Sequence, residues 1–198
     1  RHVSDAHRRR TIDAGAGDDY VESTGLITAN AFSDANSVNA AGTKFGVSAA
    51  GNNVWDGGTH AAVHSTGIAT GSGLDTVINS GDMAIDASSV APSTSVSFNV
   101  AGVAASISTA SAEAHAKAID LGDDDDQVDN SGNLDVSSDA VAVGVNVALT
   151  GAGVGVAVNS VDGGTRGTAT AAAIAGAGGE DLIINSGALD VEATVTAP

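Results

Sequence analysis

Four segments of the chain align on one pattern, and that recurrence limits the folds open to it more than any other feature. They occupy residues 15–25, 71–81, 122–132 and 176–187, and each opens on a glycine (Gly15, Gly71, Gly122, Gly176). An aspartate follows (Asp19, Asp75, Asp126, Asp181), then an aliphatic residue two positions later (Val21, Val77, Val128, Ile183). Each segment ends on a glycine six positions after its aspartate, at Gly25, Gly81, Gly132 and Gly187, so the periods are 56, 51 and 55 residues. Recurrence at a fixed period of this size is the signature of a chain built from units that bury their apolar faces only against one another. The register continues past each closing glycine with alternating apolar residues: Ile27 and Ala29, then Met83, Ile85 and Ala87. Leu134 and Val136 follow in the third unit, and Leu189, Val191 and Ala193 in the fourth. Asp56-Gly-Gly and Asp162-Gly-Gly both fall 25 residues ahead of a closing glycine. The third unit lacks that turn and is the shortest, and loss of the turn accounts for the difference.

Between these anchors the residues alternate with period two, as at 95–100, 140–149, 154–161 and 168–174. Such alternation sends successive side chains to opposite faces of a strand. Clusters of Gly, Asn and Asp between the runs supply turn residues that tolerate positive φ. Only 3% of residues are aromatic, and most of the hydrophobic residues are Ala and Val. Small side chains fill a narrow core between close backbones better than a wide one. The expected fold is therefore all-β, a β-solenoid of ~55-residue repeats, each coiling as two passes of about 27 residues. An antiparallel β-sandwich is the alternative. Residues 1–10 read as a basic N-terminal segment and residues 11–198 as a single β-repeat array.

Charge narrows the partners. The 24 acidic residues outnumber the seven Lys and Arg, for a formal net charge of −17. Four of those cations (Arg1, Arg8, Arg9, Arg10) lie in the first ten residues, and Lys44, Lys117 and Arg166 are scattered over different repeats. Such a surface repels nucleic acid and anionic membranes, whose binding rests on Lys/Arg contacts to phosphate, and it attracts divalent cations. No apolar run long enough to cross a membrane as a helix is present, and the basic start is not followed by an apolar segment of the secretory kind. The chain has no Cys, which removes disulfides and thiolate metal sites together.

The Gly-x-Gly-x-Asp-x-aliphatic core of the repeat resembles the calcium-binding nonapeptide of RTX-type (hemolysin-type) bacterial repeat proteins, found in large surface β-solenoids and adhesins. That resemblance implies calcium ligands at Asp19, Asp75, Asp126 and Asp181, and core positions at Val21, Val77, Val128 and Ile183. It covers about 40 residues in four pieces. RTX turns are tandem, whereas here one turn occurs per ~55 residues. With two passes per repeat, successive anchors would stand about 10 Å apart at ~4.8 Å per strand, beyond the 2.3–2.6 Å reach of ligands sharing one ion. Crowding alone singles out Asp123, Asp124, Asp125 and Asp126 with Asp129, whose mutual repulsion a hard, oxygen-seeking cation would relieve. Asp18 beside Asp19 and Glu180 beside Asp181 are lesser pairs. The competing reading is that these carboxylates accept hydrogen bonds from nearby backbone N–H groups.

The remaining polar residues read as structural. Asn79, Asn130 and Asn185 share one position, with Ser23 in the first repeat, and suit a stack of amides exchanging hydrogen bonds. His60 and His64, four apart on a strand, stand about 13 Å from each other and read, with His115, as exposed strand residues rather than a metal site. Trp55 reads as a local packing plug. The acidic residues recur with the repeat instead of clustering once, which argues against an enzyme. The expected role is an extracellular or cell-surface structural repeat: a stalk, filament or adhesin shaft, rigidified by calcium. It would associate end to end or belong to a longer surface protein. A glycan-binding module and a β-helix enzyme acting on polysaccharide are the alternatives; an ice-binding face would need a larger Thr array than Thr168 and Thr170.

Overall fold

The computed structural model describes residues 3–51, 58–158 and 164–198, with side chains from residue 8 onward. Trp55, Asp56 and Asp162 lie outside the described residues. Among the described residues there is no helix, and the strands run in chain order as β1 (Val3–Asp13), β2 (Tyr20–Ser23), β3 (Ile27–Asp34), β4 (Ser37–Gly51), β5 (Thr59–Ala69), β6 (Thr76–Asn79) and β7 (Met83–Ile107). The second half comprises β8 (Ala110–Gly122), β9 (Gln127–Asn130), β10 (Leu134–Val158), β11 (Thr165–Gly176), β12 (Leu182–Asn185) and β13 (Leu189–Thr196). They form three sheets: β1-β5-β8-β11, β2-β6-β9-β12, and β3-β7-β10-β13 with β4 also on β7. Every strand pairing is parallel, which is incompatible with an antiparallel sandwich.

Each repeat gives one strand to the first sheet, one short strand to the second and one long stretch to the third. The register equals the sequence period: Tyr20 pairs with Thr76, Thr76 with Gln127 and Gln127 with Leu182. One repeat is therefore one pass through the three sheets, not the two passes expected from the length of the alternating runs. The residues expected to make a second pass are taken up by β7 and β10, each 25 residues long. Anchors of consecutive repeats are consequently direct neighbours, at the ~4.8 Å strand spacing instead of 10 Å. The short period of the third repeat also has its structural cause, because only Ser108 and Thr109 separate β7 from β8.

The core lies between the first and third sheets and is thin. Ile27, Met83, Ile85, Leu134 and Val136 meet Ala61, Val63, Ala112, Ala114 and Ile119. The sheets approach closely enough for a serine hydroxyl of one to reach a backbone carbonyl of the other: Ser65 Oγ donates to Ala29 O, Ser89 Oγ to Ala61 O and Ser138 Oγ to Ala114 O, at 2.8–2.9 Å. Larger side chains would hold the sheets apart and break these hydroxyl–carbonyl bonds.

Beyond this core the third sheet doubles back on itself. Gly46, Gly102 and Gly153, at φ +109°, +136° and +134°, turn the chain in three successive repeats. In the second repeat Ser95 Oγ donates to Ile107 O at 2.8 Å, and Ser106 Oγ returns a bond to Ser95 O at 2.6 Å. Asn99 Nδ2 spans the arch to Val103 O and reaches Gly46 O of the preceding repeat. The usual polarity is reversed in this arch. Ser93, Ser95, Ser97 and Asn99 are buried, while Phe98, Val100, Val38, Val47 and Val154 face outward.

Candidate functional site

The turn that carries the chain from the first sheet into the second places the anchor aspartates in one column. The Asp19 N–H donates to Asp75 Oδ1 at 2.8 Å, the Asp75 N–H to Asp126 Oδ1 at 2.9 Å, and the Asp126 N–H to Asp181 Oδ1 at 3.1 Å. The carboxylates of Asp75, Asp126 and Asp181 thus each cap the backbone of the preceding repeat. Asp75 and Asp126 are 2% and 3% exposed. The aliphatic residues two positions on point inward, with Val77 and Val128 fully buried; Ile183 of the last repeat is exposed because nothing stacks on it.

A second group of carboxylates works in the outer part of the same turn. Asp18 Oδ1 accepts from the Leu74 N–H at 3.0 Å, Asp124 Oδ2 from the Gly73 N–H at 3.1 Å, and Asp125 Oδ1 from the Glu180 N–H at 2.7 Å. Asp124 has φ +82°, the one positive non-glycine value among the described residues. Asp123 lies in the turn and is exposed; Asp129 points outward from β9 and does not join the column. Sequence reasoning grouped Asp129 with 123–126 by proximity along the chain, but strand alternation carries it to the outer face.

The column leaves a specific deficit. Asp19 Oδ2, Asp75 Oδ2 and Asp126 Oδ2 are buried without a hydrogen-bond partner. Burial, with Asp75, Asp181 and Asp124 adding like charge, pushes the Asp126 carboxyl above the ordinary aspartate range, against the stabilising Asp75 N–H. Desolvated acceptors of one sign stacked in neighbouring repeats favour uptake of a proton or a cation. For a calcium ion the donor type fits, since calcium takes oxygen ligands. The convergence is incomplete, because among the described residues no three carboxylate or imidazole groups close around one point.

A parallel column of amides follows the short strands. Asn79 Nδ2 donates to Asn130 Oδ1, and Asn130 Nδ2 to Asn185 Oδ1, both at 2.6 Å. Each amide also caps the carbonyl two residues on, at Gly81, Gly132 and Gly187. The first repeat carries Ser23 in this column, and Asn79 Oδ1 is left buried without a donor. The closing glycines stack beside it. A Cβ on Gly81 or Gly132 would stand 2.7 or 2.6 Å from the carbonyl carbon of the glycine before it, whereas a Cβ on Gly25 would meet nothing within 4 Å. Glycine is thus required wherever a repeat already precedes.

The histidines do not form the arrangement expected from sequence. His64 lies against His115 of the next repeat, ring centroids 4.8 Å apart and planes within 14°. Both are half-buried, and His60 stays separate on the same strand as His64. No protein-family model, no curated protein and no solved structure matches the chain.

Proposed function

We propose that the chain is a structural β-solenoid segment whose coil takes about 55 residues, serving as a stalk, filament or adhesin shaft outside the cell, and not as an enzyme. The observation that carries this reading is the equality of register and period in all three sheets. A repeat placed on either end meets the same partners as an internal one, and no operation closes the series. The columns also have direction. The first repeat offers the Asp19 carboxylate as acceptor and the last offers the Asp181 N–H as donor, so copies join head to tail. The uncovered strands β12 and β13, with Leu182, Ile183, Ile184, Leu189 and Val191 about half exposed, present the apolar surface that a following repeat would bury.

Calcium belongs to the same proposal. Its support is the line of donorless carboxylate oxygens on Asp19, Asp75 and Asp126 in a chain of net charge −17. Binding would stabilise the turns that join the first and second sheets, because an ion held only by the folded state shifts unfolding by mass action.

Light scattering and electron microscopy of the purified chain over a concentration series test the assembly. Head-to-tail filaments are the expected result; particles that stay monomeric at the highest concentration count against self-association. Melting in calcium against chelator tests the ion, and an unchanged melting temperature removes calcium while leaving the assembly result standing.

A further inference from the structure

Three of the seven Lys and Arg of this acidic chain are gathered by strand register. Arg8 pairs with His64 and His64 with His115, and Thr170 of the last repeat completes that row. The next row outward on the same face is Arg10, Thr66, Lys117 and Ala172. Residues separated by more than a hundred positions thus line one cleft of about 160 Å³, formed by Arg8, Arg10, His64, Thr66, His115 and Lys117 with Ser65 and Asp120. A cleft that small is below the 300–1,000 Å³ typical of drug-sized ligands and suits one compact group.

We infer that this cleft binds a tetrahedral oxyanion, a sulfate or phosphate group, between the Arg8 guanidinium and the stacked His64 and His115 imidazoles. Arg10 and Lys117 are already paired, with Asp13 at 2.8 Å and Asp120 at 2.9 Å, and set the rim. Arg8 is exposed beside the imidazole pair, and neither of these two ion pairs engages it. The charges that act on His64 are Arg8 from β1 and His115, Glu113 and Lys117 from β8, with Arg10 and Asp120 lining the same cleft.

Their balance explains why an anion is wanted. Burial lowers the His64 pKa first, and His115, Arg8 and Lys117 lower it further, with Glu113 the one opposing charge. Near neutral pH the His64 ring is therefore uncharged, stacked on His115. An oxyanion supplies the negative charge the cleft lacks and accepts charge-assisted bonds from guanidinium and imidazolium N–H. It therefore raises the His64 pKa, and by linkage its affinity rises as pH falls and that ring takes up its proton. The aspartate column lies in turns beyond the sheet, and at physiological salt its field is screened over ~8 Å.

The test is an NMR titration of the His64 and His115 ring protons, on the whole chain, in sodium sulfate and in sodium chloride of equal ionic strength. A third series contains dextran sulfate and a fourth uncharged dextran. Sulfate is expected to raise the His64 pKa by about half a unit or more relative to chloride, and to move the His115 ring-proton resonances with it. Arg8→Gln is expected to weaken sulfate binding about tenfold, with far-UV dichroism unchanged, whereas Lys44→Gln, remote from the cleft, leaves it intact. A shift with dextran sulfate but not with the free ion assigns the site to a polymer-borne group; a shift with both shows that the free ion suffices. Identical titrations in chloride, sulfate and dextran sulfate, or an Arg8→Gln chain that binds as the parent does, overturn the proposal.

Discussion

The glycine column offers a paired perturbation whose outcome depends on the neighbour and not on the residue. In Gly132→Ala the new Cβ stands 2.6 Å from the Gly81 carbonyl carbon and nearer still to its oxygen, where ordinary contact begins at 3.4 Å. The third and second repeats must therefore part locally by about 1 Å. That movement strains the 2.8 Å bond from the Ser131 N–H to Asn79 O and the 2.6 Å amide bond from Asn79 to Asn130. Two buried hydrogen bonds at roughly 1 kcal/mol each, together with about 1–3 kcal/mol of overpacking, give a loss of about 3–5 kcal/mol. For a chain of this length that lowers Tm by about 10 °C. Gly25→Ala adds the same methyl group to the same column, but nothing lies within 4 Å, so its effect stays within about 0.5 kcal/mol. Thermal melts of the two variants at a concentration where the parent is monomeric measure the difference. Equal destabilisation by both would refute direct stacking of successive repeats as the reason for the glycines. Under conditions of assembly the same Gly25→Ala chain should stay unassembled, since its methyl group meets the last repeat of the neighbouring copy at every junction.

Two further outcomes follow from the polar columns. Asp126 has a folded pKa above its unfolded value, so the folded chain holds the extra proton between those two values, and stability falls as pH rises through that window. Without calcium, Asp126→Asn should raise Tm at pH 7 and flatten the pH dependence on the acid side; a lower Tm would mean the negative charge itself is required. Ser23→Asn should complete the amide ladder by supplying Asn79 Oδ1 with the donor that Asn130 receives from Asn79, adding about 1 kcal/mol. Chemical denaturation would show this as a higher midpoint at unchanged slope, and no gain would indicate that the edge repeat cannot hold the amide in place.

How far the residues themselves announce this architecture depends on whether a feature repeats locally. The anchors, their period and the inward aliphatics such as Val77 and Val128 were legible because each repeat places them in the same contact. The turn role of the aspartates was legible too, since a carboxylate among glycines finds backbone N–H groups. The single pass per repeat was not. Period-two alternation shows that Ser95 to Val100 is a strand, but it does not show that Gly102 folds the chain back or which face turns inward. There the serines went inside because the arch is too narrow for larger groups, and the hydroxyls found carbonyl partners across it. The cleft around His64 and His115 depends wholly on register, with Arg8 brought into the row of His115, and Arg10 into that of Lys117, only by the offsets of 56 and 51 residues. Sequence distance made those cations look scattered.

One pass per repeat also sets the mechanics of the chain. Some 55 residues advance the structure by only about 4.8 Å, the spacing of adjacent strands. The same residues pulled straight would span about 180–200 Å. A load along the stacking direction falls on ladders of backbone bonds that lie parallel to it and share the force across three sheets. Once one repeat peels away, it releases roughly forty times its folded length while its neighbours keep their own contacts. A tether built this way yields in steps, each lengthening the whole before the next repeat is strained.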